Sequence, residues 1–484
     1  MTDYDLSPPP IAARVPSGSP GFDAVLRGGF VPGGVYIIQG APGTGKTILG
    51  HQICFANIRA GGCALYATLL SESHARMIQA LRPLSFYDPT AIAEHLYYIS
   101  AFATLEETGL KGVVTLIRRE VARHNSRILV LDGLLTNDRG SVSDVEFKRF
   151  VHDLQGVADS NNCTMFLLTS TRDAPVSSER TMVDGIVQLS RVVPVARALR
   201  YLEVQKFRGS DYLDGQHAIR ITADGVEVCP RLEALYADPK PERPVEVQRV
   251  SSGIARLDTI TSGGLPRASA TLLLGPSGSG KTTLGLHFLK LASPEEPGLH
   301  FGFYETPMRL RLKAAALGLH LDPLIASNVL DLLWQPPTER ILDQLGNRLI
   351  DAVRERGIRR LVVDGLGGFQ DAAPALERVS RFFAALSNEL RMLACTTLFS
   401  LESPQLFEPD PHTPHGGMSP VADNILLLRF TERGQRLRRL LSVHKLRDSA
   451  FDPSLHEFTI TANGIDVGES LEGADDGLRG RLDR

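Results

Sequence analysis

Cysteine is scarce in this chain, and its spacing suits no structural cross-link. There are five in 484 residues, Cys54, Cys63, Cys163, Cys229 and Cys395, with no C-x-x-C pair. That argues against a disulfide frame or a zinc site and predicts reduced, buried thiols of a cytosolic protein. Long hydrophobic runs are missing too. No apolar stretch reaches the length that crosses a bilayer, and residues 1–16 carry acids and prolines rather than a basic-then-apolar leader. A soluble, cytoplasmic protein with no membrane partner is expected. Neither sign of charge prevails: 52 basic against 55 acidic residues leave −3. This argues against a surface that is one continuous nucleic-acid footprint, and leaves a local basic channel open. Hydrophobic residues are plentiful at 43%, enough for large cores, in a chain too long for one ordinary domain.

Two stretches carry the chemistry. Gly40-Ala41-Pro42-Gly43-Thr44-Gly45-Lys46-Thr47 and Gly275-Pro276-Ser277-Gly278-Ser279-Gly280-Lys281-Thr282 both satisfy G-x-x-x-x-G-K-[ST]. Glycines are required because the backbone wraps a phosphate so closely that Cβ atoms would collide, and because several positions need unusual φ/ψ. The exposed N–H groups and the positive end of the next helix then hold the anion. Lys46 and Lys281 would reach the β- and γ-phosphates, as catalytic as well as binding groups, and Thr47 and Thr282 would hold Mg²⁺. Thr283 extends the second set. Each loop follows an apolar run, Val35-Tyr36-Ile37-Ile38 or Ala270-Thr271-Leu272-Leu273-Leu274, and precedes a helical pattern. Two sites for ATP with Mg²⁺ are expected.

The likeness of the two halves extends well past the loops. Val15, Gly18, Asp23 and Gly28-Gly29 match Val250, Gly253, Asp258 and Gly263-Gly264. The runs 128–134 and 360–366, 203–208 and 442–447, and 221–228 and 460–467 match in turn. Two homologous domains in series are predicted, over 15–236 and 247–467. A Pro- and charge-rich linker at 237–246 would join them, with polar tails at 1–14 and 468–484. β-branched runs alternate with helical patterns, as in the strand 299–304, helices near 307–317 and 338–356, the strand 360–363 and a helix near 374–391. The fold class is therefore α/β: two P-loop domains, each a mainly parallel sheet flanked by helices, ending in antiparallel strands such as 186–191, 199–206 and 217–228.

Asp132 and Asp364 end apolar strands, where a P-loop domain keeps the carboxylate beside Mg²⁺. Glu72 and Glu305 each follow the strand after the P-loop helix and are candidates to orient or deprotonate the attacking water; a helix N-terminal acid is the plainer reading of both. Lys206/Arg208 and Lys445/Arg447 alternate along strands, so the basic side chains of a pair face one way. An exposed strand face accounts for one such pair. Its repetition in both halves suggests cations held toward the γ-phosphate of a neighbouring subunit, as arginine fingers. The basic run at 432–439 reads as a solvated hairpin; it lacks the interleaved aromatic residues of a nucleic-acid contact.

Taken together, these residues resemble the KaiC family within the RecA-like ATPases. The lead-ins at Asp23…Gly28-Gly29 and Asp258…Gly263-Gly264, the loops and the terminal Lys-x-Arg strands carry the likeness from about Val15 to Val467. The resemblance implies a two-tiered homohexameric ring with ATP at each subunit boundary, contacted in trans by Lys206-Phe207-Arg208 and Lys445-Leu446-Arg447. It also implies hydrolysis mainly in the N-terminal ring and self-phosphorylation on serine and threonine in the C-terminal ring. The chain departs from the family in two places. Only Glu72 and only Glu305 stand where the family has adjacent glutamates, and Ser419-Pro420 replaces the Ser-Thr acceptor pair. Proline offers no hydroxyl, so Ser419 is the remaining candidate phosphoacceptor, and a signalling ATPase with a regulatory protein partner fits better than an oscillator. Two other functions use the same core: a RecA- or helicase-like DNA motor, against which the balanced charge counts, and an assembly platform that binds ATP and turns it over very slowly.

Overall fold

The computed structural model describes residues 14–69, 74–135, 144–170, 182–193, 197–238, 248–338, 340–373, 375–403, 422–433, 436–447 and 449–470. The chain divides into two compact units, Met1–Leu235 and Tyr236–Arg484. In the first, the strands are β1 (Val35–Gly40), β2 (Ala64–Thr68), β3 (Leu96–Ser100), β4 (Ile128–Leu135), β5 (Thr164–Ser170), β6 (Gly185–Val192), β7 (Leu199–Phe207), β8 (His217–Thr222) and β9 (Gly225–Cys229). They form one sheet in the order β3-β2-β4-β5-β1-β6-β7-β8-β9. Pairing is parallel from β3 through β6 and antiparallel from β6 to β9. Alternation along β4 sends Ile128 and Val130 to one core and Leu129 and Leu131 to the other. The helices Lys46–Arg59 and His74–Leu81 cover the first face, and Phe102–His124 and Asp144–Asn161 the second. A strand buried on both faces is apolar through its middle, which is why Val35-Tyr36-Ile37-Ile38 of β1 and Met165-Phe166-Leu167-Leu168 of β5 read as hydrophobic runs.

The second unit repeats this plan. After the short pair β10 (Arg249–Val250) and β11 (Leu265–Pro266) come β12 (Ala270–Gly275), β13 (Gly298–Gly302), β14 (Leu330–Trp334), β15 (Arg360–Asp364), β16 (Thr396–Glu402), β17 (Asn424–Arg433), β18 (Arg436–Leu446), β19 (His456–Thr461) and β20 (Gly464–Ser470). Their order is β14-β13-β15-β16-β12-β17-β18-β19-β20. β20 runs three residues past Val467. The helices expected near 338–356 and 374–391 are Leu342–Glu355 and Glu377–Met392. A further short helix, Gly367–Ala372, follows the Asp364 strand. The stretch 217–228 is two strands rather than one: Ala223 and Asp224 form a two-residue turn closed by Gly225 at φ 96°, the usual chemistry of a tight hairpin.

The glycines of the lead-in signature are structural. Gly18 and Gly253 take φ 80° and 82°. A Cβ on Gly29 or Gly264 would come within 2.5 Å of the Val15 or Val250 carbonyl. Asp23 and Asp258 cap this turn, each accepting a backbone N–H at 2.8 Å, from Ser17 and Ser252. The lead-in thereby buttresses the phosphate-loop helix. Gln52 donates to the Gly18 carbonyl at 2.7 Å, and His287 lies 3.4 Å from the Gly253 carbonyl.

Candidate nucleotide-binding sites

In each domain the loop leaves a fully buried strand and enters a helix capped by a left-handed glycine, Gly45 at φ 107° and Gly280 at φ 108°. An L side chain is strained there. At the first position space decides instead: a Cβ on Gly40 would meet the Leu189 carbonyl oxygen at 2.4 Å, and on Gly275 that of Leu428 at 2.5 Å. Gly43 and Gly278, at φ 79° and 74°, complete the wrap. Thr44 donates to the Ala41 carbonyl at 2.8 Å, while Ser279 Oγ is buried with no hydrogen-bond partner among the described residues. Thr283 is buried in the first turn of its helix and lines the C-terminal cavity.

Lys46 Nζ donates to the carbonyls of Gly40 and Ala41 at 2.6 and 3.1 Å, and Lys281 Nζ to those of Gly275 and Pro276 at 2.6 and 2.7 Å. Burial lowers both ammonium pKa values. Asp132 opposes that shift at Lys46, and Glu402 followed by Asp364 opposes it at Lys281. The threonine at each helix start meets the aspartate: Thr47 Oγ1 donates to Asp132 Oδ2 at 3.0 Å, and Thr282 Oγ1 to Asp364 Oδ2 at 2.9 Å. Asp364 ends β15 as its apolar run suggested, but Asp132 sits at a register break within β4, which continues to Leu135. A hydroxyl and a carboxylate are hard oxygen donors of the kind Mg²⁺ selects. Among the described residues no cluster of three or more His, Cys, Asp or Glu side chains could hold a metal alone. A cation at either pair would therefore draw on phosphate and water for its remaining ligands.

The two acids are supported differently. In the N-terminal domain the buried Tyr66 donates to Asp132 Oδ2 at 2.7 Å and stacks on His51, ring centroids 4.0 Å apart. In the C-terminal domain the same register position holds His300, opposite Val362 as Tyr66 is opposite Val130, with Nε2 3.6 Å from Asp364 Oδ2. Ser400 adds a hydrogen bond to Asp364 Oδ1 where the first domain has Leu168. Burial alone would raise the Asp364 carboxyl, but His300, Ser400 and Thr282 outweigh it and hold it at about 2.

Glu305 lines a cavity of about 700 Å³ over the second loop, with Lys281, Asp364 and Tyr304. Its carboxylate forms a close ion pair with Lys313, eight residues on in the helix Pro307–Ala316. A further acid, Glu402, lines the same cavity and was missed in the sequence. It ends β16, directly opposite Gly275. Glu72 and Ser419 lie outside the described residues.

The Lys-x-Arg triplets are not brought to the loops of their own domains. Lys206 pairs with Ile186, which pairs with Ile37, and the Arg208 N–H bonds the Asp184 carbonyl level with Val35. Lys445 is level with Leu272, and Arg447 with Ala270, by the same path. Gly40 and Gly275 lie five residues beyond the level of the arginines, about 17 Å, and three beyond that of the lysines, about 10 Å, at the usual rise. Both pairs thus sit at the sheet edge opposite the phosphate loop. Arg447 bonds Asp423 at 3.3 Å, and Lys445 donates to the Ala422 carbonyl at 2.6 Å. The middle residues point inward: Phe207 stacks on Tyr36, and Leu446 is buried in the core, which leaves their backbone for any contact with another chain. The basic run is a hairpin between β17 and β18, as expected. In it Arg438 pairs with Glu457, and Arg439 lies over Phe430 and donates to the Gly278 carbonyl at 3.3 Å.

Comparison with known proteins agrees with this architecture. The family model described as "ATPase: KaiC" matches twice, over residues 15–233 and 250–472. The circadian clock oscillator proteins KaiC of Picosynechococcus and of Synechococcus elongatus are each 24% identical to this chain, across 93% of it and 89% and 88% of their own lengths. The circadian clock protein KaiC2 of Synechocystis is 24% identical over 96% of this chain and 83% of its own length. Among the described residues no helix is long and apolar enough to cross a membrane. With the phosphate loop, an aspartate bonded to the loop threonine and the sheet order present in both halves, the chain belongs to the KaiC family of ATPases and carries two tandem copies of its domain.

Proposed function

We propose that the chain is a Mg²⁺-dependent ATPase that assembles as a two-tiered ring, each pocket being completed by the Lys-x-Arg strand of a neighbouring copy. The single observation behind this reading is the separation between loop and strand. The Lys-x-Arg pair stands three to five residues behind the loop along the strands of its own domain, and it recurs at the same place in both domains, as a contact made across a subunit boundary would. Within a pocket, Lys46 or Lys281 and the loop amides bind the phosphate tail, and Thr47 with Asp132, or Thr282 with Asp364, would hold Mg²⁺. The cation supplies charge neutralisation and orientation of the β- and γ-oxygens. Glu72 and Glu305 orient the attacking water. Lys206/Arg208 and Lys445/Arg447 of the adjacent copy stabilise charge developing on the transferred phosphoryl group.

The nucleotide state of the ring would set its affinity for a regulatory protein partner. Ser419 is the hydroxyl offered for phosphoryl transfer to protein. Intact-mass measurement after incubation with Mg-ATP, on the chain and on Ser419→Ala, tests it: an adduct lost in the variant supports transfer, and no adduct ends it. For the main reading, native mass spectrometry with Mg-ATP should find six chains with two nucleotides each. A monomer at saturating nucleotide refutes the ring, and fewer than two nucleotides per chain refutes the paired sites.

A further inference from the structure

The C-terminal cavity holds three carboxylates, and their surroundings divide the work. Asp364 has both oxygens committed, Oδ2 to Thr282 and Oδ1 to Ser400, which suits a metal-holding group and not a proton acceptor. Glu305 is neutralised by its ion pair with Lys313. Glu402 accepts no hydrogen bond and forms no ion pair among the described residues. Its strand lies between β12, which leads into the loop, and β15, which carries Asp364. It is thus one strand spacing, about 4.8 Å, from each, whereas the strand before Glu305 is three spacings, about 14 Å, from the loop strand. Glu402 is the leading charge felt by Lys281, ahead of Asp364. In the N-terminal domain the equivalent last residue of β5 is Ser170: β5 and β16 are both seven residues long, and their first threonines, Thr164 and Thr396, pair with the first residues of β4 and β15.

We infer that Glu402 is the base of the C-terminal pocket, and that Ser170 in its place makes the N-terminal pocket the slower of the two, the reverse of the division of hydrolysis that the family resemblance implies. This rests on the ATPase reading above. In the step, the water oxygen forms a bond to the γ-phosphorus, and the bond from that phosphorus to the β,γ-bridging oxygen breaks. The bridging oxygen leaves on ADP with the electron pair. The water proton passes to a Glu402 carboxylate oxygen and from there to solvent, and no redox partner is needed. Glu305 orients the same water from the opposite side of Asp364. A base with no competing partner is what proton transfer requires, and such groups typically contribute about 10²–10⁴-fold.

The test measures phosphate release and bound nucleotide in the full chain with Mg-ATP, in a Lys46→Ala background that isolates the C-terminal sites. Glu402→Gln should lower turnover by at least about 100-fold with nucleotide occupancy retained. Glu402→Asp should recover part of the rate. Glu305→Gln should show the smaller loss. Turnover in Glu402→Gln close to the parent's, a larger loss in Glu305→Gln, or loss of bound nucleotide along with turnover in Glu402→Gln would each overturn the assignment. A parent chain that retains nucleotide and releases phosphate while Glu402→Gln keeps pace refutes Glu402 alone. A wild-type chain that binds no ATP and releases no phosphate refutes the ATPase reading itself.

Discussion

The two halves share a loop, an aspartate bonded to the loop threonine and a sheet order, yet they differ in what surrounds the aspartate. The N-terminal domain supports Asp132 with a tyrosine hydroxyl, which is stacked on a buried histidine. The C-terminal domain sets Asp364 among a serine, a threonine and a histidine, and places two glutamates around the same cavity. Duplication kept the parts that grip a triphosphate, because backbone geometry leaves few alternatives there. It released the side chains that adjust reactivity. Equal loops therefore do not imply equal turnover.

The largest expected effect bears on what the halves have in common. Arg447→Ala and Arg208→Ala should each cut turnover in their own tier by roughly 10³-fold, the low end for an arginine finger, with nucleotide still bound; steady-state phosphate release and nucleotide counting check this. Lys281→Ala and Lys46→Ala should each remove one nucleotide per chain, but Lys281→Ala should remove most of the turnover. Equal losses would erase the difference argued between the tiers. Tyr66→Phe leaves Asp132 one hydrogen bond short, a bond to a charged group worth about 1.5 kcal/mol or more. The Mg²⁺ concentration for half-maximal N-terminal turnover, read in Lys281→Ala, should rise about tenfold with it, and the C-terminal requirement should not move.

The smallest effect concerns acid stability. Burial lowers the His51 pKa from 6.5 to about 4, against a hydrogen bond to the Thr47 carbonyl. The folded state therefore takes up its proton later than the unfolded chain does. Its contribution to stability is fully present above pH 6.5 and is lost as pH falls toward 4. The N-terminal domain should lose on the order of 2 kcal/mol by pH 5 through this group. His51→Leu, which copies Leu286 of the other half, should flatten that dependence in denaturant titrations at pH 7 and pH 5.

The loops, the aspartates and the doubled plan were legible in the sequence because each is local: a glycine forced by a close carbonyl, or an acid ending an apolar run. The alternating domain pattern was legible for the same reason. Three features were not. Glu402 reaches the loop only because β16 inserts between β15 and β12, a crossover that separates it from Gly275 by 127 residues (402 − 275). The contrast between Tyr66 and His300 emerges only when the registers of β2 and β13 are laid against Asp132 and Asp364. The inward turn of Phe207 and Leu446 follows from the strand alternation that sends the flanking cations the other way. Their burial needed the packed core to show it.

Completion of one copy's pocket by another copy is tested most directly by mixing two chains that are each disabled at the C-terminal sites. Lys281→Ala lacks the loop cation but keeps Arg447, and Arg447→Ala has the reverse defect. Co-assembled with Mg-ATP, the two should release phosphate well above the sum of their separate rates, because some boundaries join an intact loop to an intact arginine. A mixture no faster than that sum, from chains shown by mass to share one assembly, would contradict the account.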